Sequence, residues 1–199
     1  MTTRTEITNL ALAHLDHAGR VEEFNENSAE AIAARDIFDF AYESMLQEHD
    51  WNFARMRVEG AVFRTNYFEW AFAYSYPNNC FFVRHVRREK SNLDYDYRVE
   101  THSEGSRIIC THLDNAIIHY TGKPALAVIP QYAKMQLSWS LAYHMASRIN
   151  ADKARAEAGY VRNMGIAQSL DANEHYTQQV IEPATHILAR ITPIDEYCS

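Results

Sequence analysis

Cysteine is scarce in this chain: Cys80, Cys110 and Cys198 are the only three among 199 residues. They lie far apart, form no CxxC pair and are odd in number, which implies no disulfide framework and points to a compartment where thiols stay reduced. Glycine is thin as well. The six glycines, at 19, 60, 105, 122, 159 and 165, stand singly, so no glycine-rich loop can gather backbone N–H groups around a nucleotide phosphate. No window of about 18 apolar residues occurs, and the opening MTTRTEITNLALAHL has no apolar run of the signal-peptide kind. The expectation is a soluble protein made in the cytosol, with no membrane partner. Basic residues are in the minority, 19 Lys and Arg against 26 Asp and Glu, for a formal net charge of −7. That balance argues against a grip on nucleic acid over the whole surface, because neutralising phosphates drives such binding.

Catalytic motifs are missing too. GxSxG, SxxK and HExxH do not occur, so neither a nucleophile on a sharp turn nor a helical zinc pair is written into the chain. Ten histidines invite a metal search, yet His14 and His17 with Asp16 have no third ligand motif beside them. The carboxylate pairs Glu22–Glu23 and Asp94–Asp96 read as solvated loop residues. No cofactor, metal or catalytic residue is assigned.

What is present is aromatic and helical. Aromatics make up 12% of the chain, with 12 tyrosines, and tyrosine suits interfaces because it offers apolar area with a polar tip. Apolar residues at i, i+3 and i+4 predict helices over 5–18, opened by Thr5, and over 28–49, opened by Ser28. Two more are predicted over 130–150, opened by Pro130, and over 151–180, whose apolar stripe runs through Tyr160, Val161, Met164, Ala167 and Leu170. Between them the pattern turns to short aromatic and β-branched runs, and the expected β region spans about 70–122. Its clearest strands are 80–86, 94–101, 107–112 and 116–122, the middle two joined as a hairpin around 103–106. The simplest arrangement is an α+β, mainly α chain: an antiparallel four-helix body with a small inserted antiparallel β region. Residues 1–182 then form one domain, and 183–199 an apolar C-terminal arm that needs a surface to lie on.

Several features mark candidate sites. In EHDWNFARMR, Trp51 and Phe53 fall where the second helix ends and are expected to seal its junction with the β region, with Arg55 and Arg57 facing outward. Trp70 and Trp139 are further structural anchors. RHVRREK sets Arg84, Arg87 and Arg88 against an acidic background; pairing with a neighbour, protecting a strand edge and touching phosphate are the open readings. Tyr95 and Tyr97 on an alternating strand, and Ile187, Leu188, Ile191 and Tyr197 in the arm, complete the interface candidates.

Several blocks carry a resemblance. FDFAYESML running into DWNFARMR, then WAFAYSYPNNCFFV, PQYAKMQLSWSLAYHMASRI and AQSLDANE, occur in that order. Together they resemble the tail tubular protein A family, the head-to-tail adaptors of short-tailed bacteriophages. The chain departs from that pattern at Asp50, where proline is commoner, and at Asn79, where aspartate is commoner. The resemblance implies a structural virion protein of the neck and tail, present in the host cytoplasm during assembly. It implies a dodecameric ring of copies between the portal protein and the tail nozzle protein, with viral DNA passing through the lumen without specific binding. A peptidoglycan-degrading tail accessory enzyme is the alternative function.

Overall fold

The computed structural model describes residues 3–174. Four helices, α1 (Arg4–His14), α2 (Ala29–Glu48), α3 (Gln131–Met145) and α4 (Lys153–Glu174), flank seven strands. The strands are β1 (Arg55–Glu59), β2 (Val62–Tyr67), β3 (Trp70–Ser75), β4 (Phe82–Arg87), β5 (Tyr97–Thr101), β6 (Arg107–Thr111) and β7 (Ile117–Thr121).

Local chemistry sets the helix starts. Thr3, rather than Thr5, caps α1 in a reciprocal box: its hydroxyl accepts the Glu6 N–H at 3.2 Å and the Glu6 carboxylate accepts the Thr3 N–H at 2.9 Å. Ser28 caps α2 through the Ala31 N–H at 3.3 Å. Pro130 is the residue before α3, with extended backbone. α3 is central: α1, α2 and α4 all make their main contacts with it. Small and polar side chains, Ala133, Gln136, Ser138, Ser140 and Ala142, are therefore as buried as Leu137 and Leu141. α4 passes through both of its glycines. Gly159 is where it meets α3, since a Cβ there would fall 2.0 Å from the Trp139 ring.

The strands form two antiparallel sheets, ordered β1-β7-β4 and β2-β3-β6-β5. β5 and β6 join through a tight turn in which Gly105 takes φ +85°. Tyr74, Val83, Val86, Ile109 and Ile118 come from both sheets and form one buried cluster between them. Tyr67, Ala73, Ile108 and Cys110 make a smaller one.

This overturns the expected mainly α chain. The β portion is not a small insert on a four-helix body: it starts at Arg55 rather than near residue 70, and it has an interior separate from the helical core built on Ile7, Phe38, Met45, Trp51 and Leu137. The architecture is a mixed fold of four helices and two sheets. β1 and β2 escaped the sequence pattern because nearly every side chain on them is exposed, leaving no alternation of apolar and polar positions to read.

Polar links tie the two parts together. The Arg84 guanidinium reaches the His49 carbonyl at 3.1 Å and the Thr121 hydroxyl at 2.8 Å. Tyr42 donates to the Pro124 carbonyl at 2.8 Å, and Lys123 bridges Asp39 at 3.0 Å and Glu43 at 2.8 Å. Among the described residues, no helix is long and apolar enough to cross a membrane.

Candidate functional site

The chain leaves α2 through His49 and Asp50 and enters a single 3-10 turn, Asn52–Ala54. Trp51, at its mouth, is fully buried and donates its indole N–H to the Met45 carbonyl at 2.8 Å. His49, Phe53 and Tyr132 surround the ring, with centroids 4.7, 5.7 and 6.4 Å away. From α4 comes Asp171, 1% exposed. Both of its carboxylate oxygens accept the Asn52 backbone N–H, at 3.0 and 3.1 Å, and one accepts the Tyr132 hydroxyl at 2.8 Å. Burial first, and then the neighbouring Asp171 carboxylate, push the Tyr132 hydroxyl far above the ordinary tyrosine range. The proton stays on Tyr132, which with Asn52 clamps the Asp171 carboxylate, and the His49 Nε2 lies 3.6 Å from that carboxylate.

The basic strand candidates divide. Arg84 is consumed internally: besides His49 and Thr121 it lies 3.4 Å from Asp50 and 4.6 Å over the Phe82 ring. Arg87 is bonded through Nε to Asp94 at 2.5 Å, which also takes His85 at 3.1 Å. Those bonds hold the Asp94 carboxyl below its ordinary range. Arg88 stays outward, 3.4 Å from Asp114. Tyr97 donates to the Val83 carbonyl at 2.9 Å, and Tyr95 packs half-buried against the inter-sheet cluster. Ile187, Leu188, Ile191 and Tyr197 lie outside the described residues.

Strand register brings a second, unforeseen group to these arginines. Arg57 of β1 lies opposite His119 of β7, which lies opposite His85 of β4. Arg55 and Arg57, two residues apart, share the outward face with His119 and Arg87. The loop after β4 closes one end with Arg88, Lys90, Ser91 and Asn92. The result is a cleft of about 640 Å³ with five Arg or Lys residues, one histidine and a single carboxylate, Glu89, among its lining side chains. Burial, then the Arg87 and Arg57 charges, lower the pKa of His119 below the usual imidazole value, so it lines the cleft as a neutral ring at pH 7.

The aromatic anchors are partly buried. Trp70 packs on the smaller β cluster beside His112, at 4.9 Å. Trp139 stacks flat on His14 at 3.9 Å, while the His14 Nε2 meets the Ser138 hydroxyl at 2.9 Å. His17 pairs with Glu30 and Asp16 with Arg155, so that trio does not converge. Among the described residues, no group of three or more His, Cys, Asp or Glu side chains could hold a metal ion.

Sequence reasoning missed Asp171 and Arg57's neighbourhood for different reasons. Asp171 follows Ala167 by one turn, and the buried line of α4 is Ala156, Gly159, Ala167 and Asp171. Its apolar residues Val161, Ile166 and Leu170 face out instead, at 64%, 51% and 45% exposure. The cleft unites residues some sixty positions apart, and only strand pairing joins them. Compared with known protein families and with curated proteins, the chain matches none.

Proposed function

We propose that this chain is a non-enzymatic structural subunit of a bacteriophage neck. In this reading it is a head-to-tail adaptor that assembles with copies of itself into a ring, one side on the portal protein and the other on the tail nozzle, through which DNA passes without sequence-specific binding. The ordered blocks from FDFAYESML to AQSLDANE supply the resemblance behind this reading. The observation that carries it is the outward turn of α4.

A helix of a monomer normally buries its apolar stripe. α4 does the reverse: small and polar residues go in, while Val161, Ile166 and Leu170 stay in water. Other large apolar side chains are exposed far from it in the chain, Phe40 on α2 at 61% and Phe68 between β2 and β3 at 82%. Apolar groups exposed on both the helical and the β parts fit a subunit covered from more than one side, as a ring member between two other rings must be.

The test is assembly. Purified protein mixed with portal rings is expected to co-sediment and to appear in electron micrographs as an added ring. No binding to portal at micromolar concentration would overturn the reading.

A further inference from the structure

The cationic cleft on the outer face of the β1-β7-β4 sheet is unused by the adaptor reading, and its construction indicates a ligand. Three of its arginines are held from behind by carboxylates that do not line the cleft: Arg55 by Asp50 at 2.8 Å, Arg87 by Asp94 at 2.5 Å and Arg88 by Asp114 at 3.4 Å. A guanidinium has five N–H donors in a rigid fork. Each of these pairs leaves donors free and fixes the direction in which they point, which lowers the ordering cost of gripping an oxyanion. Arg57 stands among them with no ion-pair partner among the described residues, and Lys90, whose backbone takes φ +59°, lines the cleft with its ammonium 3.8 Å from Glu89.

We infer that this cleft binds a phosphate group, with Arg57 and Lys90 as its mobile cations and Arg55 and Arg87 as fixed donors. Several features select phosphate. Planar forks and an ammonium suit a tetrahedral dianion with several acceptor oxygens. No Phe, Tyr or Trp lines the cleft, so no large aromatic face is provided to stack a base or a ring. A neutral His119 and the Ser91 and Asn92 side chains add uncharged donors suited to a group that is already well neutralised. The site is local: Glu59 and Asp114 line an adjoining recess with Arg88 and Glu89, which ends the positive surface. The phosphate comes from a free phosphate or small phosphoester, or from a nucleic-acid backbone; contact with either would carry no sequence information.

This inference stands apart from the adaptor reading, and its experiment contains no portal protein. The full chain is titrated at low ionic strength with inorganic phosphate by calorimetry, and with a short labelled DNA duplex by fluorescence anisotropy. Arg57→Ala is expected to weaken phosphate binding by about tenfold, the loss of one charge-assisted contact. Lys90→Ala should weaken it less, and Arg64→Ala, on the other sheet, should leave it unchanged. All three residues are exposed, and the Lys90 contact with the neighbouring Glu89 at 3.8 Å joins two exposed side chains; circular dichroism is to check that each variant is folded. If phosphate displaces the duplex, and Arg57→Ala weakens both, the source is the nucleic-acid backbone; binding of phosphate alone assigns a small phosphate ligand. The inference is overturned if wild type binds neither, if Arg57→Ala binds phosphate as wild type does, or if poly-glutamate binds the cleft while phosphate does not.

Discussion

Asn52 donates to Asp171 twice across 119 positions of chain, from its backbone and from its side chain. The Asp171 carboxylate accepts the Asn52 backbone N–H at 3.0 and 3.1 Å, and the Asp171 carbonyl accepts the Asn52 side-chain amide at 2.6 Å. This pair pins the exit of α2 to the last described turn of α4. Asp171→Ala would leave the Asn52 N–H and the Tyr132 hydroxyl without their acceptor. The expected cost is about 2–3 kcal/mol in denaturant unfolding, the range for a buried bond to a charged group. A change smaller than about 0.5 kcal/mol, the scatter of surface substitutions, would show the pair to be incidental.

Trp51 is expected to be worth more. Its indole is fully buried and its N–H is bonded, so Trp51→Ala should cost about 3–5 kcal/mol, as for other buried aromatics. If the variant unfolds at the wild-type midpoint yet no longer assembles, Trp51 is a docking residue and not a packing one.

The outward face of α4 makes the opposite prediction. Ile166→Asp and Leu170→Asp alter exposed side chains, and thermal unfolding of the isolated chain should shift little, by about 0.5 kcal/mol or less. Ring formation on portal should fail if this face is covered by a neighbour. A stability loss of several kcal/mol would mean that α4 is seated on these residues after all.

Mild acid should destabilise the fold in two stages. Burial lowers the pKa of His14, His119 and His144 below 6.5. A histidine whose folded pKa is depressed contributes stability that is full above its unfolded pKa and is lost as pH falls through the folded one. Thermal midpoints should therefore begin to fall below about pH 6.5. A second loss should follow near and below pH 4, as Asp39 and Asp94, also depressed, are protonated. A flat midpoint from pH 7 to 5 would mean that the histidine rings are hydrated.

Much of the fold was readable along the chain, and the failures have physical causes. Ser28 marked the start of α2, and the runs at 80–86, 107–112 and 116–122 became β4, β6 and β7 within a residue or two because each has buried and half-buried positions to pattern. β1 and β2 hid because exposure removes the alternation. α4 starts near the expected residue 151, and its expected end at 180 lies outside the described residues; of the expected inner stripe Ala167 is buried, but Val161 and Leu170 face out, and Gly159 goes inward where the Trp139 ring approaches. The Trp51 corner could be suspected from its aromatic density. Its partner Asp171 could not, since a carboxylate in a buried helix position looks like any exposed one until the helix is docked. The cationic cleft was half visible in RHVRREK; Arg55, Arg57 and His119 joined it only through strand register.

The central place of α3 also sets an order of events. α1 and α2 are synthesised first, yet their main packing partner begins at Gln131, after the whole β portion. Each strand pairing, by contrast, closes within residues 55–121. Contacts between distant segments form late because the intervening chain must be closed first. The sheets are therefore expected to acquire structure before the first two helices dock, and pulse-labelled hydrogen exchange during refolding should find β6 and β7 protected before α1.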